Sequence, residues 1–182
     1  LNSKLDKFSY RVLKEDCLDL PDKVYMKRNV PLTPEQIKAY ESMKKNAIAV
    51  LQNSQTTAAS ALAQMVRLHQ ITCGHLMTDA GEVKYLKNNR VNELLNILEE
   101  VDGKVIIWAI YRHDIKEITK LIGERYGEQS VESYFGDTPD SERQNIVTRF
   151  QDRNDDLRFF VGNPKTGGYG LTLTASHTVV YY

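Results

Sequence analysis

Apolar positions along this 182-residue chain change rhythm near residue 87. Before it, helical spacing dominates. Lys23 to Leu32 alternates, with Val24, Met26, Arg28, Val30 and Leu32 on one face and Lys23, Tyr25 and Lys27 on the other, and predicts a strand. Thr33-Pro34-Glu35-Gln36 predicts a helix start: Thr33 can cap, Pro34 suits the first helical position, and Gln36 completes a capping box. Ile37, Tyr40, Met43, Ile48 and Leu51 carry that helix to about Asn53, and a polar break over 53–57 follows. A second helix begins near Ala58, with Leu62, Met65, Val66 and Ile71 on its face and Gly74 past its end. Thr78 to Glu82 predicts a turn.

After residue 87, apolar runs alternate with amphipathic stretches. Asn89 is placed to cap a helix carrying Val91, Leu94, Leu95, Ile97, Leu98 and Val101, and Asp102-Gly103 ends it. Lys104 to Ala109 is a continuous apolar run, the signature of a strand buried on both faces. An amphipathic helix follows over 114–126, then a strand over 130–135. Thr138-Pro139 opens a helix whose inner face is Ile146, Val147 and Phe150. Leu157 to Val161 predicts a third strand, residues 162–170 a Gly-rich loop, and His177 to Tyr182 a fourth strand. Strands alternating with helices predict an α/β unit with a mainly parallel sheet flanked by helices.

Composition narrows the class. The hydrophobic share is 41% and the charged share 26%, values of an ordinary globule. No apolar run approaches the roughly 18 residues of a membrane span, so no membrane partner is expected. Two cysteines cannot make a disulfide framework, and a cytoplasmic setting is the expectation. The net charge is zero but uneven: 14 Lys and Arg face 9 Asp and Glu through residue 90, and 10 face 15 after it. Arg11, Lys14, Lys23, Lys27 and Arg28 form a mild basic cluster, equally readable as a solvated face or a DNA contact. The chain does not begin with Met and stops on an apolar β-type run, so a piece of a longer protein is expected.

Candidate chemistry concentrates in two loops. Val161 to Leu173 follows a buried strand and therefore emerges at the sheet's carboxyl edge, where open α/β folds bind ligands. Its four glycines let a backbone approach an anion, and Lys165 adds a positive charge. The spacing matches neither a P-loop nor a dinucleotide fingerprint. A structural turn and a phosphate contact both remain open. Tyr134 to Arg143 reads as a strand, a Gly turn and a helix start, either simply capped by Thr138 or offering amides to a phosphate. His69, Cys73 and His75 are metal-ligand types, but a fourth ligand would have to be Cys17; they are read as packed residues, with no metal site. Trp108 is read as core. Glu99-Glu100 and Asp155-Asp156 are adjacent pairs and make no acid/base dyad.

The order of these segments resembles the second motor lobe of Swi/Snf-type helicases, members of helicase superfamily two. The resemblance rests on Val105-Ile106-Ile107-Trp108-Ala109, on Gly136-Asp137-Thr138 with Arg143 and Phe150, and on Lys165-Thr166-Gly167-Gly168-Tyr169-Gly170-Leu171-Thr172-Leu173. Gly162-Asn163-Pro164 and Thr178 to Tyr182 are most similar to phage and prophage members, which implies the cytoplasm of a bacterial or phage-infected cell. In the first half, Arg11 to Asp16, Leu20-Pro21, Leu32 to Gln36 and Tyr40 resemble the connector after the first lobe, and Met65 to Gly74 resembles the helical insertion.

The resemblance implies a RecA-like lobe over 88–182, truncated before the arginine-finger motif and preceded over 1–87 by a mainly helical linker and protrusion region. It implies a parent that hydrolyses ATP with Mg2+ between two lobes and translocates on duplex DNA. Arg112, Gly136, Thr138, Asn163, Lys165, Thr166 and Gly167 would face the nucleic acid through sequence-independent backbone contacts. Gly168, Gly170 and Thr172 would lie on the ATP-cleft side. The expected partners are duplex DNA and the first lobe. There are departures: Ala109-Ile110 stands where members have Ser-Gln, Asn163-Pro164 where they have Ser-Thr, and Thr172 where they have Asn. The P-loop and metal-binding carboxylates belong to the other lobe, so no catalytic residue and no bound cofactor is expected in this chain. A stand-alone, non-enzymatic module that binds nucleic acid or protein is the alternative.

Overall fold

A computed structural model describes residues 9–10, 12–13, 19, 21–52, 58–78, 81–168 and 170–182. Arg11, Lys14, Cys17, Leu20, Tyr169 and the polar break over 53–57 lie outside the described residues.

Helix α1 (Pro34–Gln52) starts on the expected capping box. The Gln36 amide donates to Thr33 Oγ1 at 3.3 Å, and the Thr33 amide donates to Gln36 Oε1 at 3.0 Å. The buried Gln36 carboxamide also donates to the Ile71 carbonyl at 2.9 Å. One side chain thereby ties the start of α1 to the end of α2 (Ala58–Cys73). Gly74 follows α2 at φ +89°, and a Cβ there would stand 2.1 Å from Asn88 Nδ2. Both the backbone and the space therefore require glycine. Strands β1 (His75–Met77) and β2 (Val83–Tyr85) form an antiparallel hairpin around the expected turn, closed by the Thr78 amide donating to the Glu82 carbonyl at 2.8 Å.

The second half is a parallel sheet of β3 (Lys104–Trp108), β4 (Val131–Tyr134), β5 (Phe159–Gly162) and β6 (Ser176–Tyr181), in the order β4-β5-β3-β6. This is the expected α/β, RecA-like architecture, with helices on both faces of the sheet. Alternate residues of the two inner strands face opposite ways. Val105, Ile107, Phe159 and Val161 pack against Leu94 and Leu98 of α3 (Arg90–Glu100) and Ile115, Ile118 and Ile122 of α4 (Arg112–Tyr126). Ile106, Tyr134 and Phe160 pack on the other face against Ile146 and Phe150 of α5 (Asp140–Gln151). Trp108 joins that second face edge-on to Phe160, so its reading as core holds.

Cations at the amino end of the sheet are consumed by structure. Lys104 Nζ donates to the carbonyls of Leu157 at 2.7 Å and Arg149 at 3.3 Å, and burial lowers its pKa. Arg149 pairs with Glu132 at 2.8 Å and with Asp155 at 3.3 Å.

Three local expectations need correction. Residues 21–33 form no strand, and Val24, Tyr25 and Met26 are exposed. Alternation alone cannot make a strand without a neighbour to hydrogen-bond. Asn89 takes the expected N-cap position of α3, but its side chain makes no capping bond: its Nδ2 donates to the Pro31 carbonyl at 3.0 Å, and Asn88 Oδ1 instead accepts from the Arg90 amide at 3.0 Å. Thr138 does not cap α5, because Pro139 holds that position and the Thr138 hydroxyl turns back onto β4. In addition, α4 begins at Arg112, and the Gly-rich loop contains one short helical turn.

Phe160→Ala removes a fully buried ring shared by Trp108, Tyr134 and Phe150, and should cost about 3–5 kcal/mol in a urea titration. Gly74→Ala should cost more than about 1 kcal/mol in the same assay, through left-handed strain and the collision with Asn88.

Candidate nucleic-acid interface at the carboxyl edge of the sheet

Because the four strands are parallel, the segments that follow β3, β4 and β5 emerge at one edge. The segment after β5 is built tightly. Gly162 ends the strand, and a Cβ there would stand 2.7 Å from the Trp108 ring. Asn163 caps the short helix α6 (Pro164–Gly167) by accepting from the Lys165 amide at 2.9 Å. Its Nδ2 donates to the Ile110 carbonyl at 2.7 Å, which ties this loop to the one after β3. Pro164 takes the first helical position, where the missing amide hydrogen has no helical acceptor to lose.

The Thr166 and Gly167 amides donate to the Asn163 carbonyl at 3.0 and 2.9 Å, and the Gly168 amide donates to Pro164 at 2.9 Å. Gly167 is buried against Trp108. Lys165 is exposed, and no ion pair forms at its ammonium among the described residues. Beyond the turn, Leu171 and Leu173 pack on the α5-side core, which leaves the intervening Thr172 exposed. Gly170 is exposed at φ +77°.

The turn after β4 is held by Thr138. Its hydroxyl accepts from the Phe135 amide and donates to the Ser133 carbonyl, both at 3.0 Å, and its own amide donates to Phe135 at 3.1 Å. Thr138 is buried with these polar groups engaged, so it shapes the turn. Arg143 Nε donates to the Thr138 carbonyl at 3.2 Å and latches the turn from α5. Gly136 and Asp137 are exposed at the apex. Arg112 reaches over from α4, with Nη1 2.8 Å from Asp137 Oδ1, and Lys116 Nζ lies 3.2 Å from the other carboxylate oxygen. A Cβ on Gly136 would come within 3.3 Å of Arg112 Nη2.

Two of these residues, Lys116 and Asp137, are not among the sequence candidates. The spacing of Arg112 and Lys116 puts both on one helix face and was the available signal. The structure thus gathers Arg112, Gly136, Asn163, Lys165 and Thr166 on the loops and helix starts of one edge. Thr138 and Gly167 lie beneath them.

The other candidates separate. Arg28 pairs with Glu93 at 3.9 Å and with Glu100, so it docks the linker on α3. His69 Nδ1 meets the Tyr111 hydroxyl at 2.8 Å, while Cys73 Sγ lies 4.0 Å from His69 Nε2. His75 turns instead toward His113 and Asp114. Burial pushes the Cys73 thiol and Tyr111 phenol up and the His113 imidazole down.

Residues 86–182 match the helicase conserved C-terminal domain family. YwqA of Bacillus subtilis, whose name gives it as an ATP-dependent helicase/translocase, is 27% identical over 178 residues, covering 93% of this chain and 19% of that protein. The SWI/SNF chromatin-remodeling complex subunit snf22 of Schizosaccharomyces pombe is 25% identical over 197 residues, covering 100% of this chain and 12% of that protein. The solved SWI2/SNF2 ATPase core domain of Sulfolobus solfataricus superposes with a TM-score of 0.71 at 25% identity, covering 98% of this chain and 38% of that one. The chain therefore spans only a minor part of each of these relatives. With a four-stranded parallel sheet, carboxyl-edge loops and this match over more than half its length, the chain belongs to the helicase conserved C-terminal domain family, as a SWI/SNF-type lobe of superfamily two.

Proposed function

We propose that this chain is the carboxyl-terminal motor lobe, with its linker region, of an ATPase that translocates on duplex DNA. Residues 1–87 serve as connector and helical insertion, and 88–182 as the lobe. The observation that carries the reading is the exposed, unpaired Lys165 on the loop that Asn163 fixes to the sheet edge. Arg112 stands on the same edge, and Gly136 leaves its guanidinium room. Arg112, Lys165 and Thr166 contact phosphates directly. Gly136 permits the close approach, while Thr138, Asn163 and Gly167 hold the loops in place.

Such contacts read no sequence and weaken with salt. Gly168, Gly170 and Thr172 face the cleft in which ATP and Mg2+ are held jointly with the first lobe. Phosphoryl transfer needs a P-loop, metal and arginine finger acting together, so the isolated chain turns over no ATP.

Purified chain should show no ATP hydrolysis with or without duplex DNA, and the intact parent should show DNA-stimulated hydrolysis. Turnover by the isolated chain, or a parent indifferent to DNA, would refute the reading. Lys165→Ala in the parent should weaken duplex binding about equally for all sequences and reduce the slope of log affinity against log salt by about 1. Binding that stays unchanged, or changes for one sequence only, counts against a phosphate contact.

A further inference from the structure

The β1–β2 hairpin meets the first turn of α4 through a compact group of imidazole and carboxylate side chains. His75 opens β1, and both its side chain and that of Asp114 are only 3% exposed. His75 Nδ1 lies 3.3 Å from Asp114 Oδ1, yet it is buried without a hydrogen-bond partner. His113, the residue before Asp114, brings its ring edge-on to His75 with centroids 5.1 Å apart. One ligand atom from each of the three residues lies within 4.8 Å of the other two. Tyr111 walls the group on the His75 side and Tyr85 on the His113 side, at centroid distances of 4.6 and 4.5 Å.

The chemistry is that of a cation site. A buried carboxylate is strongly disfavoured unless positive charge matches it. Among the described residues, no Lys or Arg lies within ion-pairing distance of Asp114; its partner is the imidazole of His75. Two imidazole nitrogens and one carboxylate oxygen are a donor set suited to zinc and its neighbours in the first transition row. Bonds of about 2.0–2.1 Å at tetrahedral angles put ligand atoms about 3.3–3.4 Å apart. The His75–Asp114 separation already meets that spacing. His113 is partly open beside Glu117, so a water would complete a four-coordinate set.

We propose that His75, His113 and Asp114 form a zinc-class metal site that clamps the linker hairpin to the lobe. The ion bridges β1 to α4, reinforcing the direct contact of His75 with Asp114. An ion held by the folded arrangement alone stabilises it by mass action.

The chain, stripped with chelator and titrated with Zn2+, should bind one equivalent and unfold at a higher temperature when loaded. Co2+ in place of Zn2+ should give the intense visible d–d absorption of a four-coordinate site. His113→Gln alters the most accessible ligand and should keep the circular-dichroism spectrum of the parent chain. It should lose the Co2+ band and weaken Zn2+ binding by about tenfold or more. His75→Gln should do the same. The proposal is overturned if the unaltered chain binds no stoichiometric metal. It is also overturned if His113→Gln, still folded, keeps the Co2+ band, which would place the ion elsewhere.

Discussion

Strand β5 sits between β4 and β3, and its four residues, Phe159 to Gly162, are all buried. Parallel pairing on both sides is the constraint from which the rest of the lobe follows. A parallel neighbour can be reached only by a crossover, and each crossover lays a helix over a face of the sheet. α4 and α5 therefore cover opposite faces, and the segments after β3, β4 and β5 share one edge. The close fit at that edge depends on Gly162, since Trp108, Phe160 and the Tyr134 carbonyl leave no room for a Cβ. Asn163 follows at once and joins two of the three loops. The packing that stabilises the sheet thus also fixes the loops.

Electrostatics at this edge is local. The chain's net charge is zero, and the second half is acidic, so attraction to a polyanion must come from particular side chains. Lys104 and Arg149, at the opposite end, are committed to carbonyls and carboxylates. Arg112 and Lys116 share Asp137, with their side chains 69% and 64% exposed. Ion pairs so exposed contribute roughly 0–1 kcal/mol. Under the proposed function, exchanging Asp137 for a phosphate would therefore cost little, and Asp137 holds both cations beside one carboxylate in its absence. Lys165 is exposed with no ion pair among the described residues, so the same reading requires no exchange there.

The parts of this fold that were legible in sequence are those whose signal is local. β3 and β5 read as apolar runs because they are buried on both faces. The α1 start read correctly because Thr33 and Gln36 satisfy each other within one turn. The β1–β2 hairpin was missed because three-residue strands carry too short a pattern, although its turn was found. Residues 23–32 misled for the converse reason: the pattern is present and the partner strand is not. Asn89 and Thr138 have cap-forming side chains, but such groups bond equally well to nearby carbonyls and amides, and Pro31 and Ser133 decide where they go. In sequence, His75 groups with its neighbours His69 and Cys73. Its partners, His113 and Asp114, come from a distant helix that only the fold brings close.

The central claim is that the loops after β3, β4 and β5 form one preassembled surface for the DNA backbone. Hydrogen exchange of the chain, followed by mass spectrometry with and without a short duplex, tests it most directly. The account predicts slowed exchange in 109–112, 135–138 and 163–167 together, equal for duplexes of unrelated sequence and abolished at high salt. Protection confined to the linker over 21–32, or protection that changes with base sequence, would contradict it.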